Sequence, residues 1–150
     1  MAITRFAAVT DALITAVKAQ TTASVFDAVP VTDEFLGRVV VIGARSDDDR
    51  GLGGTIRQSY RDLGAAATRE ETGTIYCSAI AQTGNDDVAG MRAAAIALLG
   101  EVETALRSNF DLDVAAVRSV EVELGDVFQG RTPAGAFAEV QFTVTYQALI

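Results

Sequence analysis

The stretch Ala138-Glu139-Val140-Gln141-Phe142-Thr143-Val144-Thr145-Tyr146-Gln147-Ala148-Leu149 (AEVQFTVTYQAL) alternates apolar and polar residues almost without a break. Successive side chains of a β-strand point to opposite faces. Val140, Phe142, Val144, Tyr146 and Ala148 therefore share one face, and Glu139, Gln141, Thr143, Thr145 and Gln147 the other. A helix with this sequence would scatter its apolar residues around the axis, so the stretch is a strand with one buried face. Val120, Val122 and Leu124, alternating with Ser119, Glu121 and Glu123, supply a second strand upstream. Together they predict a β-hairpin with strands over 116–124 and 138–148. The residues between, 125–136, include Gly130 and Pro133 and are expected to form a long loop. Loops of that length tend to be functional or to order against a partner.

Before the hairpin comes the strongest helical pattern in the chain. Asn85, Asp86 and Asp87 offer an N-cap and negative charge where the helix dipole favours it. Val88, Met91, Ala95, Leu98, Leu99, Val102 and Leu106 then recur as one apolar face, and Arg107 occupies the last turn. A first helix is expected from Thr4, as N-cap, to about Gln20, with Phe6, Val9, Leu13 and Val17 as its stripe. Between the helices, Val25-Phe26-Asp27 reads as a short strand closed by Val29-Pro30. Arg38 to Ile42, β-branched without alternation, reads as a strand covered on both faces. Ile56 to Leu63 is polar enough for a sheet edge, and Thr72 to Gln82 carries Ile75, Cys77, Ala79 and Ala81 on one side. The expected fold is α+β, a single domain over 1–150. Its sheet is mainly antiparallel, with the N-terminal helix and the long central helix packed on one face.

Composition narrows the chemistry. The chain of 150 residues has no histidine and one cysteine, Cys77. That removes Ser-His-Asp and Cys-His catalysis, imidazole acid–base work and almost every zinc or iron site. A lone cysteine forms no internal disulfide framework and fits a reducing compartment. With a net charge of −8 and scattered arginines, the chain lacks the basic stripe that grips phosphates. No window holds the unbroken apolar run of roughly 18 residues that a membrane span needs. Phe6 to Val17 has the length of a signal-peptide core, but Asp11 interrupts it and an amphipathic helix fits better, which implies synthesis in the cytoplasm. No catalytic residue, cofactor or metal site is expected.

Four features are candidate sites. In Gly43-Ala44-Arg45-Ser46-Asp47-Asp48-Asp49-Arg50-Gly51-Leu52-Gly53-Gly54, the glycines miss the dinucleotide spacing, and a strand-like segment follows instead of a helix. No Gly-Lys-Ser/Thr occurs for a Walker loop. The aspartates are consecutive rather than alternating, with Leu52 and Gln58 where a calcium loop needs glycine and glutamate, so at most a weak, irregular cation site remains. A polar inter-strand loop is the plainer reading. Glu121 and Glu123 lie on one strand face, a loose match to a two-carboxylate mechanism that an exposed or partner-facing edge explains better. Cys77 has no base beside it and sits in an apolar alternation, so it is a core residue. The uncharged polar face of the last strand (Gln141, Thr143, Thr145, Gln147) suits subunit packing or plain exposure equally.

The whole-chain order carries a resemblance. A helix leads to VFDAVPVTD, then RVVVIGA with its acidic loop, then TIYCSAIAQTGNDD, the helix VAGMRAAAIALLGEVETALRS and the final AEVQFTVTYQAL. This resembles the tail terminator (tail completion) proteins of long-tailed bacteriophages, especially those of high-GC hosts. The resemblance implies a virion protein of the tail–neck junction, assembled in the host cytoplasm and forming a homo-oligomeric ring, usually of six. Such a ring caps the tail tube protein, halts its polymerisation and docks the head connector (stopper), while DNA passes through without sequence-specific binding. The acidic charge fits that passage, since like-charged walls offer no phosphate contacts. Another head–tail neck protein or a small-molecule-binding α+β domain are the alternatives. On this view loops 43–55 and 125–136 meet the tube or connector. The expected partner contacts are Asp47, Asp48, Asp49, Arg50, Gln129, Arg131, Glu139, Gln141, Thr143 and Thr145.

Overall fold

In the computed structural model, which describes residues 3–28, 37–45, 51–60 and 68–150, six strands join one sheet. The elements run α1 (Phe6–Gln20), β1 (Ser24–Asp27), β2 (Gly37–Ile42), β3 (Gly54–Tyr60), β4 (Arg69–Gln82), α2 (Val88–Ser108), β5 (Val117–Thr132) and β6 (Gly135–Leu149). The sheet order is β1-β2-β4-β6-β5, with β3 also paired to β4. Only β1–β2 is parallel; the other pairs are antiparallel. The fold is α+β, as the periodicities predict.

β4 is the axis of this arrangement. Its first half pairs with β3 and its second half with β2, on the same side, while β6 runs along its whole other side. The chain crosses from β2 to β3 at Tyr76. The Tyr76 carbonyl accepts from the N–H groups of Gly43 (2.7 Å) and Ala44 (3.0 Å), and the Tyr76 N–H donates to the Gly53 carbonyl (2.9 Å). Gly53 comes so close to Gly43 that a Cβ there would lie 2.9 Å from the Gly43 oxygen, so only glycine fits. The Arg45 guanidinium stacks 4.3 Å from the centre of the Tyr76 ring and ties the segment down further.

Both helices pack on one face of the sheet. Val9, Leu13 and Val17 of α1 and Ala95, Leu98, Val102 and Leu106 of α2 share a buried core with Ile75, Cys77 and Ala79 of β4 and Val140, Phe142, Val144 and Tyr146 of β6. The Asp87 carboxylate caps α2 by accepting from Gly90 N–H at 2.9 Å, as its place in the sequence predicts. At the start of α1 the Thr4 hydroxyl accepts from Phe6 N–H at 3.1 Å, although the first helical residue is Phe6 and the formal cap is Arg5. Val39, Val40, Val41 and Ile42 are all buried, which fits a strand covered on both faces. Val39 and Val41 form a second small cluster with Ala44, Phe26 and Ile80 on the far side of the sheet.

Two expectations are corrected. Residues 125–136 are not a loop: β5 runs to Thr132, β6 starts at Gly135, and only Pro133 and Ala134 make the turn. A β-bulge between Leu124 and Val127 breaks the alternation and disguises the strand. Gly125 permits it, since a Cβ at that position would lie 2.9 Å from the Gln141 carbonyl oxygen. Nor is the polar face of β6 open along its length. Glu139 and Gln141 are buried within the chain, Thr143 and Thr145 are half-buried, and only Gln147 is exposed. The expected strand end at 61–63 and the Val29-Pro30 closure lie outside the described residues.

Candidate interaction surface

Among the described residues three strands carry no further strand on their outer sides: β5 on one side of the sheet, and β3 and the four-residue β1 on the other. β5 is exposed almost continuously from Glu121 to Thr132 apart from the half-buried Val122 and Gly130. β3 is exposed from Thr55 to Tyr60. An uncovered strand edge is a row of unpaired N–H and C=O groups, ready to pair with another chain.

The β5 edge is two-faced. Glu121 and Glu123 pair with Thr145 and Thr143 of β6 and share the face away from the helices. Neither makes an ion pair among the described residues. Val120, Val122 and Leu124 pair with Tyr146, Val144 and Phe142 on the helix face. α2 does not cover that face completely: Leu124 is 73% exposed and Val127 51%. Near the end of α2 an open groove of about 480 Å³ is lined by Leu106, Phe110, Val120 and Val122, with Glu103, Arg107 and Glu121 at its polar positions. Arg107 and Glu103 pair across one helical turn at 2.7 Å, which among the described residues leaves Glu121 as the unpaired charge beside an apolar floor. Phe110, 65% exposed, stands in it with much of its ring in water.

The sequence-predicted contacts do not form one patch. Gln129 and Arg131 lie beyond the bulge and are held by the start of α2. Gln129 Oε1 accepts from Arg92 Nη1 at 3.0 Å, and Arg131 Nε donates to the Asp86 carbonyl at 3.2 Å. Glu139, Gln141, Thr143 and Thr145 line the opposite sheet face, and burial of the first two within the subunit does not suit an open contact. Asp47, Asp48, Asp49 and Arg50 lie outside the described residues. Sequence reasoning missed Val127 and Phe128, whose apolar character inside a supposed loop was the available signal, the exposure of Leu124 at the end of its strand, and also Ile56 and Tyr60 on β3.

No family model and no curated protein matches this chain.

One buried polar cluster has the ingredients of acid–base chemistry without its freedom. Glu71 is 1% exposed. Its Oε1 accepts from Tyr146 Oη (2.6 Å), Thr4 Oγ1 (2.9 Å) and Arg5 N–H (2.9 Å), and its Oε2 from Gln58 Nε2 (2.6 Å). Burial alone would raise its pKa, but the hydrogen bonds outweigh it and hold the carboxyl below its ordinary value. Burial first, then the hydrogen bond to Glu71 and its negative charge, push the Tyr146 phenol upward. A carboxylate so occupied is an anchor: it fastens the N-terminus of α1, where the helix dipole favours an anion, to β3, β4 and β6. Cys77 is buried and its thiol is pushed up to about 12 by desolvation, so it is not a nucleophile. Among the described residues no group of three or more potential metal ligands occurs. No helix there is long and apolar enough to cross a membrane.

Proposed function

We propose that this chain is a structural virion subunit of the tail–neck junction. Copies form a ring that caps the phage tail tube, stops its polymerisation and joins it to the head connector. The observation that carries the proposal is a six-stranded sheet with an uncovered strand edge on each side, built by a chain that has no histidine for acid–base or metal chemistry. A ring subunit needs two different contact surfaces on opposite sides, because a heterologous interface closes only when one patch meets another. The far half of β5, with Leu124, Val127, Phe128, Gln129 and Arg131, offers a further exposed surface for the tube or connector. The whole-chain resemblance to tail terminators supports the same assignment.

Negative-stain imaging of the purified protein with polymerising tail tubes tests it. Capped tubes of arrested length are expected. A monodisperse monomer that leaves tube growth and tube ends unchanged refutes the proposal.

A further inference from the structure

We infer that the β5 edge of one copy takes the β3 edge of a second copy as an added antiparallel strand, with Ile56 of the incoming strand entering the groove between α2 and β5. The inference rests on the ring-forming role proposed above and names the junction that builds it.

Direction and height both fit. β5 runs parallel to β4, because each is antiparallel to β6, whereas β3 runs antiparallel to β4. A rotation about an axis along the strands preserves these directions, so β5 meets the neighbour's β3 antiparallel, the favourable pairing. The two edges also lie at one level of the sheet. Arg57 pairs with Thr72, Thr72 with Gln147, and Gln147 with Ser119; Ile56, Gly73, Tyr146 and Val120 form the next rung, and Thr55, Thr74, Thr145 and Glu121 the one after. The neighbour's β3 therefore reaches β5 without sliding along the axis. A head-to-tail contact with no axial rise closes into a ring instead of growing as a filament.

The chemistry matches face by face. A sheet continued around a ring keeps its helix side on one side, so Ile56, 45% exposed, comes beside Val120 and next to Val122 on the helix face, where the groove floor is apolar. On the opposite face Arg57, exposed and in no ion pair among the described residues, lands diagonally from Glu121. Diagonal neighbours are within reach of a long side chain. Glu123 adds to the same acidic face. At this level Ser119–Val122 of β5 lie opposite Arg57–Gly54 of β3, a run of four regular rungs. Above that level β1 occupies the column that the neighbour's β5 would need, since Asp27, Ile42 and Cys77 share the rung of Phe142 and Leu124. The bulge after Leu124 bends β5 at that height, out of the occupied column. A strand edge protected only by charge would scatter its acids over both faces, whereas here one face is left apolar.

Charge exchange between two variants tests the junction. Glu121→Arg with Glu123→Arg turns the β5 edge basic, and Arg57→Glu turns the β3 edge acidic. By sedimentation velocity the wild type is expected to associate into a species of fixed size, and each variant alone to associate at least about tenfold more weakly, since like charges then face each other. An equimolar mixture of the two variants should regain association, because every junction again joins opposite charges; this also shows that both variants fold. If the wild type associates and neither variant changes that, or if the mixture fails to recover, another surface joins the copies. The junction is then wrong, while tube capping by wild type still upholds the ring role. If the wild type stays monomeric at every concentration, the self-association inferred here is overturned, and tube capping decides the functional proposal separately.

Discussion

Substituting Gly73 by alanine probes the tightest point of the core. Gly73 of β4 lies directly across from Tyr146 of β6, and an added Cβ would run into Cε1, Cζ and Oη of the Tyr146 ring. The ring cannot swing aside cheaply, since Tyr146 is fully buried and its hydroxyl donates to Glu71 at 2.6 Å. Two costs follow. Forcing extra volume into a packed core costs about 1–3 kcal/mol. Pulling the hydroxyl away from a buried carboxylate costs about 1.5–3 kcal/mol more, as for other hydrogen bonds to charged groups. Gly73→Ala should therefore destabilise the fold by roughly 3–5 kcal/mol, a large part of the roughly 5–15 kcal/mol typical of a domain. Urea unfolding followed by circular dichroism measures it, with Tyr146→Phe as the companion that loses only the hydrogen bond and costs about 1.5–3 kcal/mol. If Gly73→Ala unfolds within about 1 kcal/mol of wild type at an unchanged denaturant slope, the ring does not press on Gly73 and the reasoning fails.

Three further outcomes are expected. The folded-state pKa of Glu71 is depressed, so its contribution to stability is complete above the ordinary carboxyl value of 4.5 and is lost as pH falls through the lower folded value; urea midpoints measured from pH 6 down to about pH 2 should fall less steeply in Glu71→Gln than in wild type. Cys77, buried and with its thiol pushed up to about 12, should resist a thiol reagent such as DTNB at pH 8 in native protein and react at once in concentrated urea; fast native labelling would contradict its burial. Asp87→Ala removes the carboxylate that caps α2 and should lower stability by roughly 1 kcal/mol, read as a shift in the urea midpoint.

Much of the fold is legible in the sequence because its signals are local. The α2 face repeats at helical spacing under a cap of three polar residues, and β6 alternates along most of its length. The four consecutive β-branched residues of β2 announce burial on both sides, and all four are buried. What could not be read was non-local or masked by an irregularity. The bulge at Leu124–Val127 shifts the alternation of β5 by a residue, and with Gly125, Gly130 and Pro133 nearby a long edge strand looks like a loop. The buried state of Glu139 and Gln141 could not be inferred from their strand, because alternation predicts which residues share a face and not whether that face is covered. In the sequence Glu71 is one of two adjacent acids, and nothing beside it marks it as buried. Its role depends on Thr4, Gln58 and Tyr146, which come from three distant parts of the chain. The edges were legible in part: polarity marks the segment from Ile56 as an edge strand, and β3 is one, but the apolar half of the β5 edge follows only from the finished sheet order.

The meeting of three backbone groups at Tyr76 has a consequence for how this chain can change. Gly43 and Ala44 on one side and Gly53 on the other are bonded to the same residue, so the chain leaves the sheet and re-enters it at a single point. β2 and β3 are each fixed by their own pairing with β4, and neither relies on the intervening segment for its register. Lengthening a closed excursion is cheap, roughly 0.6 kcal/mol for each doubling. The span between Arg45 and Gly51 is therefore the place to test an insertion. A peptide tag or a small folded domain placed there should leave the sheet unchanged, and related chains are free to differ in length at this point while keeping the same scaffold.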